Sequence, residues 1–179
     1  KIPSSFEEFR HLGSLLTLPM DTELSEDGKR MLEEQCDRAN QVLSENGIQI
    51  ISHSPRRRAV ATATGLFGKA DIPIKECAEI YEKSLSEYAG LKSLKTRVDN
   101  FRLRTLKKYK ENRILLVGHS KFFRSLIPDF VEKKQLVGNV SIWRAQLTVE
   151  GEWKPGSLEL LVPGWREGLP PSERLSGNG

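Results

Sequence analysis

Apolar positions along the chain alternate between two spacings, one typical of helices and one typical of buried strands. Over Leu24–Asn46 they recur on one helical face, with Ser25 as a cap at the start and Gly47 as a stop. The apolar run Ile48–Ile51 follows and predicts a short buried strand. The next stretch, RRRAVATATGLF, predicts a second helix that ends near Gly68. This part of the chain therefore predicts a helix, a strand and a helix in succession.

The rest of the chain continues the alternation. DIPIKEC predicts a short extended piece, and because Pro73 lacks a backbone donor we do not expect this piece at a central strand position. Residues 93–109 have helical spacing, ILLV within Arg113–Gly118 predicts the most buried strand, and KFFRSLI predicts a helix after it. SIWRAQLTV and SLELLV predict two shorter strands. The alternation predicts a three-layer α/β/α domain around a mostly parallel sheet, with the later strands antiparallel at an edge.

Length and composition predict one domain. Of the 179 residues, we expect 1–162 to form this domain, with 1–22 as an N-terminal loop or helix segment and the Pro/Gly/Ser-rich 163–179 as a tail. No apolar run approaches the ~20 residues that span a bilayer, so we expect a soluble protein without a membrane span. Cys36 and Cys77 lack the spacing of a metal or redox site, and we expect neither a metal nor a cofactor.

The charge balance is basic and only weakly informative. A formal net charge of +4 and a pI near 9.1 fit an anionic substrate or partner. Arg56–Arg58 and the basic residues of 93–109 would also suit a nucleic acid, but aromatic residues are not interleaved with them and no known binding module is present. Nucleic-acid binding is therefore the weaker alternative. The composition indicates no compartment, because the cytoplasm and an organelle matrix fit equally.

Two segments stand where parallel sheets bind their ligands, beyond the carboxyl ends of strands. These are SHSPRRRA, after the first predicted strand, and GHSKFFR, after ILLV. Each brings a histidine or arginine and free backbone N–H groups to a helix start, where anions are favoured. Because consecutive helical side chains point about 100° apart, at most one of Arg56, Arg57 and Arg58 is expected in a pocket.

These segments carry a resemblance to a known family. SPRRRAVATA (Ser54–Ala63) matches the S-P-x-x-R-A-x-x-T-A signature of the histidine phosphatase superfamily, the phosphoglycerate mutase-like proteins. LSEDGKRML, IYEKSLSEYAG, ILLVGHSKFFRSLI and GNVSIWRAQLTVEGEW are similar to further segments of that family, in the family's order. The resemblance runs from about Leu24 to Trp153.

The resemblance implies a phosphomonoester hydrolase that works through a phosphohistidine intermediate, without metal or cofactor. By position, Arg58 would bind phosphate, His119 would be the second histidine and Glu82 would protonate the leaving oxygen. The implied substrate is a phosphorylated small molecule or a phosphoprotein. A mutase is less favoured, because the further substrate-binding segments of phosphoglycerate mutases are not found. His53 has no catalytic counterpart in the family, and we expect it to be structural or to face solvent.

The family's nucleophile lies in an R-H-G motif after its first strand, and this chain departs from that pattern. The matching segment is FRHLGS, where Leu12 stands in place of glycine and the preceding KIPSSFEEF is typical of a helix start. Three interpretations stay open. His11 is the nucleophile and Arg10 binds phosphate; or the first strand and its R-H-G lie upstream of Lys1 and are missing from this chain; or the protein is catalytically degenerate and serves as a scaffold or as a subunit of a larger complex.

Overall fold

The structure is a computed structural model that describes residues 21–82, 84–109, 112–132 and 137–164. Most of the predicted N-terminal segment and of the predicted tail lie outside these ranges. The described helices are α1 (Glu26–Asn46), α2 (Arg57–Phe67), α3 (Leu85–Tyr88), α4 (Leu94–Asn100), α5 (Ser120–Leu126) and α6 (Asp129–Glu132). The described strands are β1 (Ile50–His53), β2 (Ile74–Glu76), β3 (Ile114–Val117), β4 (Ile142–Arg144) and β5 (Glu159–Val162). Short 3₁₀ helices cover Ala78–Ile80 and Leu106–Lys108, and a π-helix covers Phe101–Thr105.

The helix α1 begins and ends where the sequence predicts. The Ser25 hydroxyl accepts a hydrogen bond from the Gly28 N–H (3.1 Å), which satisfies one of the free donors at the helix start. Gly47 ends the helix with φ of 55°, a left-handed conformation that glycine adopts without strain. The apolar face of α1 is buried from Leu32 to Leu43. In the described parts of the chain, no helix is both long enough and apolar enough to cross a membrane.

Within the described ranges, the main sheet is parallel and has three strands in the order β2-β1-β3. Ile51 of β1 is in register with Ile74 on one side and with Leu115 on the other. β2, which begins just after Pro73, is an edge strand and therefore not central, as the sequence predicts. β4 and β5 pair antiparallel in a second sheet of their own, and do not extend the edge of the main sheet.

Helical layers cover both faces of the main sheet. Leu115 and Val117 pack, together with Ile51, against an apolar cluster formed mainly by α1 and α2. Leu116, between them in sequence, packs against the opposite cluster, which includes Val98 of α4 and residues of α5. Because alternate side chains of a strand point to opposite faces, these two clusters lie on opposite sides of the sheet. The predicted α/β fold with a parallel sheet is confirmed.

The strand β3 is less buried than the sequence predicts. Every residue of β1 is buried, whereas Ile114–Val117 are half-buried along the whole strand. The reason is that β3 lies at the edge of the described sheet, and the four residues line a cavity of about 720 Å³. Ile142 and Trp143 of β4 line the same cavity. A cleft therefore separates the described edges of the two sheets, and it extends to the carboxyl end of β3.

Candidate active site

The two predicted ligand segments meet at one edge of the main sheet. β1 and β3 are adjacent and parallel, with His53 in register with Val117, so the residues after each strand are neighbours. The Ser54 N–H donates to the Val117 carbonyl (2.9 Å), and this bond continues the pairing beyond the last strand residue. The Ser54 hydroxyl lies 2.9 Å from His119 Nε2. The fold thus brings the SPRRRA segment and the GHSK segment into direct contact.

His119 lies at the start of α5, and its ring lines the cavity. Only 7% of the residue is exposed. Burial lowers the pKa of His119 to about 4; the charge of Glu82 opposes this shift, and the charges of Arg58, Arg56 and Arg97 add to it. At neutral pH the imidazole is therefore uncharged and offers one donor nitrogen and one acceptor nitrogen.

Gly118 allows the close approach of the segment before His119 to its neighbours. A Cβ atom at this position would lie 2.5 Å from Cγ2 of Ile80 and 3.3 Å from Cζ of Phe123. Glycine is required here for packing, because Ile80 is fully buried against it and has little room to move.

Arg58 and Glu82 form an ion pair that lines the same cavity as His119. Arg58 projects from the first turn of α2, and Glu82 follows the 3₁₀ helix after β2. The arginine side chain is 34% exposed and the glutamate side chain 15% exposed, so solvent and solutes reach the guanidinium. The structure therefore brings three of the five sequence-predicted residues, Arg58, Glu82 and His119, to one cavity.

The three consecutive arginines have three different environments. Arg57 is exposed and pairs with Glu23. Arg56 is half-buried: its guanidinium carbon lies 4.4 Å from the centre of the Tyr81 ring, and its Nη2 donates to the Tyr81 hydroxyl (2.7 Å). Tyr81 thus provides an aromatic face on which the Arg56 guanidinium stacks. Only Arg58 of the three lines the cavity.

A second arginine, Arg97, was not predicted from the sequence. It contacts residues on both sides of Glu82 in the chain. Its Nε and Nη2 donate to the two carboxylate oxygens of Glu87 (2.8 and 3.0 Å), and its Nη1 donates to the carbonyls of Glu79 and Tyr81 (2.7 and 2.8 Å). The hydrogen bond from Arg97 is the main reason why the pKa of Glu87 falls to about 2. A signal for Arg97 does exist in the sequence.

That signal is the spacing of Arg97 in its helix. Leu94, Val98 and Phe101 form the apolar face, and position 97 is three residues after Leu94 and four before Phe101. A charged residue on the apolar face of a helix is buried only when it is paired. The side chain of Arg97 is accordingly only 21% exposed, and it is not part of a solvated basic face.

The remaining predicted residues divide into those that the structure describes and those that it does not. Arg10 and His11 lie outside the described residues, so the nucleophile stays a prediction. His53 is buried, and its Nδ1 donates to the Ser54 carbonyl (2.9 Å), which places it in a structural environment. Among the described residues no group of histidine, cysteine and carboxylate side chains could hold a metal ion.

The fold is similar to that of several solved bacterial proteins. One is the product of the open reading frame Rv3214 from Mycobacterium tuberculosis, with 18% identity over 81% of this chain and 86% of that one and a TM-score of 0.53. Another is the mycobacterial glucosyl-3-phosphoglycerate phosphatase, with 16% identity over 80% and 88% and a TM-score of 0.52. A third, mycobacterial hydrolase 1, has 16% identity over 82% and 87% and a TM-score of 0.50. At these identities the likeness concerns the fold alone.

Residues 10–95, slightly less than half of the chain, match the family model described as histidine phosphatase superfamily (branch 1). The matched region includes Arg58 and Glu82 and starts at Arg10. The resemblance that the motifs carry is confirmed by this match to the histidine phosphatase superfamily. No curated protein matches the sequence.

Proposed function

We propose that this protein is a phosphomonoester hydrolase of the histidine phosphatase type. The observation that carries the proposal is the cavity in which Arg58, Glu82 and a neutral His119 lie together. An arginine fork is well suited to phosphate, a carboxyl group can supply a proton to a leaving oxygen, and an imidazole N–H can hold a second phosphate oxygen. The phosphatase family match supports the same chemistry.

The ion pair between Arg58 and Glu82 gives the two residues a shared role in substrate binding. An incoming phosphoryl group and the Glu82 carboxylate compete for the same guanidinium. When the phosphoryl oxygens bind Arg58, Glu82 is released from the pair and becomes free to face the leaving oxygen. Substrate binding would thus prepare both the site for the negative charge and the proton donor.

His11 is the proposed nucleophile, with Arg10 as a further phosphate ligand. The family match begins at residue 10, so FRHLGS stands at its start, where the Arg-His pair is expected. Once the phosphoryl group has displaced it from Arg58, the Glu82 carboxylate takes up a proton from solvent. An imidazole nitrogen of His11 then forms a bond to phosphorus while the bond from phosphorus to the ester oxygen breaks, and the ester oxygen takes this proton from Glu82. Water attacks the phosphohistidine as the bond from phosphorus to nitrogen breaks, and Glu82 takes a proton from that water. Inorganic phosphate leaves, and Glu82 gives its proton to solvent as it pairs with Arg58 again.

The proposed substrates are phosphorylated small molecules or phosphoproteins. The similar mycobacterial protein is named as a phosphatase of glucosyl-3-phosphoglycerate, which is a small phosphomonoester. The net charge of +4 supports attraction of anionic substrates in general and does not select one of them.

A steady-state assay with p-nitrophenyl phosphate tests the proposal. We expect Arg58→Ala and His119→Ala to lower kcat/KM by about 100-fold or more, because each removes a fixed donor for the transferring group. Arg57→Ala is the matched control, since Arg57 lies in the same motif but is exposed and paired with Glu23, and its activity should stay unchanged. Equal activity of all four proteins would overturn the assignment.

The nucleophile is tested separately by trapping. The protein is mixed with a substrate labelled in the phosphoryl group and denatured at alkaline pH, where phosphohistidine survives. We expect label on the wild type and none on His11→Asn. Label that persists in His11→Asn would move the nucleophile to another residue.

One observation favours the alternative of a degenerate, non-catalytic member. Leu12 stands where the family has glycine, directly after His11. A correctly folded full-length protein that neither turns over p-nitrophenyl phosphate nor forms a phosphoenzyme would support this alternative, and with it a role as a scaffold or complex subunit.

A further inference from the structure

Ser54 is completely buried where β1 ends, and its hydroxyl joins the two halves of the site. Its relative exposure is 0%. Within the described ranges the hydroxyl has two hydrogen-bond partners, the backbone N–H of Arg56 (3.3 Å) and Nε2 of His119 (2.9 Å). Buried hydroxyl groups are almost always hydrogen-bonded, because an unpaired one loses its hydration without compensation.

The two partners determine which way the proton of the hydroxyl points. A backbone N–H can only donate, so the Arg56 N–H uses a lone pair of the Ser54 oxygen. The hydroxyl proton then needs an acceptor, and among the described residues the acceptor within reach is Nε2 of His119. Nε2 therefore carries no proton, and in a neutral ring the proton resides on Nδ1.

We propose that Ser54 is a positioning residue for His119, because its hydroxyl donates to Nε2 and holds the ring as the Nδ1–H tautomer, with this N–H as the donor for a phosphate oxygen. The inference rests on the proposed function for the identity of the ligand. A neutral imidazole has one N–H, and phosphate oxygens accept hydrogen bonds. Without a fixed tautomer, the nitrogen free for a ligand would carry a proton only part of the time.

The surroundings of the ring keep it in the neutral form that this role requires. Burial disfavours the imidazolium, and the guanidinium groups of Arg58, Arg56 and Arg97 act in the same direction. The carboxylate of Glu82 acts in the opposite direction. Because Glu82 is itself paired with Arg58, its charge is partly compensated, and burial has the largest effect on the ring. A neutral donor can then serve the ligand over the neutral pH range.

The direct test is ¹⁵N-edited NMR of the full chain labelled at its three histidines, with the His119 signals assigned from their loss in His119→Gln. In the wild type at pH 7, we expect Nδ1 of His119 at the shift of a protonated nitrogen and Nε2 at that of an unprotonated, hydrogen-bonded one. In Ser54→Ala, the two shifts should move towards a mixture of tautomers. Ser54→Thr, which keeps the hydroxyl, should retain the wild-type shifts.

Ser52→Ala is the matched control. Ser52 is also fully buried and lies two residues before Ser54, on β1, but its hydroxyl pairs with the Tyr109 hydroxyl (2.6 Å) and not with His119. We expect no change in the His119 shifts for this variant. With p-nitrophenyl phosphate, Ser54→Ala should lower kcat about tenfold, the loss of one hydrogen bond, while Ser52→Ala keeps wild-type kcat.

A wild-type spectrum with the proton on Nε2, or unchanged shifts in Ser54→Ala, would overturn the proposal. The NMR readout does not depend on turnover, so it separates this inference from the proposed function. If the wild type is inactive but Ser54→Ala shifts the tautomer, the positioning of His119 by Ser54 stands and the phosphatase assignment fails.

Discussion

Two arginine–glutamate pairs hold the segment around Glu82, and they differ in their environment. Glu87 is buried and Arg97 is half-buried, with side chains 3% and 21% exposed, and the arginine also binds backbone carbonyls. Arg58 and Glu82 have side chains 34% and 15% exposed, and both line the cavity. The chemistry of the two pairs is the same, but a solute can reach only the second pair through the cavity.

The difference shows that an arginine–glutamate pair can either fix the backbone or bind a ligand. The buried pair is saturated: the carboxylate of Glu87 receives two donors from Arg97 and a third from the Ser84 N–H (2.7 Å). Such a pair fixes the backbone, because breaking it leaves a buried charge without a partner. The pair at the cavity has one hydrogen bond and can exchange its partner. We therefore expect stability to depend on the first pair and activity on the second.

The largest expected effect is on stability, from loss of the buried pair. Arg97→Ala should lower the free energy of unfolding by about 3 kcal/mol, since it leaves the Glu87 carboxylate buried and unpaired. Urea denaturation followed by circular dichroism measures the change. Lys95→Ala, which removes an exposed positive charge from the same helix, should stay within about 0.5 kcal/mol of the wild type. A similar small effect of Arg97→Ala would show that the pair does not fix the segment.

The next effect is on the pH dependence of stability, and the two groups with the largest pKa shifts among the described residues act in two windows. The pKa of Glu87 is about 2 in the folded protein and 4.5 is its ordinary value, so its contribution is complete above pH 4.5 and is lost as the pH falls towards 2. The pKa of His119 is about 4 against an ordinary 6.5, so stability also falls as the pH drops from 6.5 to 4. Each slope is at most about 1.4 kcal/mol per pH unit.

Denaturation at a series of pH values separates the two groups. We expect Glu87→Gln to reduce the loss below pH 4.5, where Glu79, whose pKa burial raises but hydrogen bonds lower by more, still contributes. The loss between pH 6.5 and 4 should stay in this variant and be reduced in His119→Gln. If Glu87→Gln changed the upper window and left the lower one intact, the buried pair would not be the acid-labile element.

The features that could be predicted from the sequence are those that local rules determine. The bounds of α1 follow from Ser25 and Gly47, because caps act on groups within three or four residues. Helical geometry predicts that the side chains of the three consecutive arginines point in different directions. The family resemblance then identified Arg58 as the one that binds phosphate. These are local rules, or rules about one short motif, and they need no knowledge of distant partners.

The residues that the sequence did not reveal depend on contacts between distant segments. Glu87 and Arg97 lie on successive helices, α3 and α4, and become a pair only when the chain between them is folded; neither has a motif of its own. The stacking of Arg56 on Tyr81 joins residues 25 positions apart. The half-burial of β3 depends on what lies at its second edge, which the apolar pattern of ILLV does not encode. Periodicity describes which face of an element is apolar, but not which neighbour covers it.

The smallest effect on stability is expected for the pair at the cavity, Arg58 and Glu82. Its loss should affect activity far more than stability. Arg58→Ala should lower the free energy of unfolding by about 0.5 kcal/mol, because the pair is partly exposed and makes a single hydrogen bond. Arg57→Ala, which removes an exposed pair from the neighbouring position, should have an effect of the same size or less. The two variants should thus be indistinguishable in urea denaturation and differ by about 100-fold in kcat/KM. If Arg58→Ala were instead destabilised as strongly as Arg97→Ala, both pairs would be structural, and Arg58 could not be the arginine that exchanges Glu82 for a phosphoryl group.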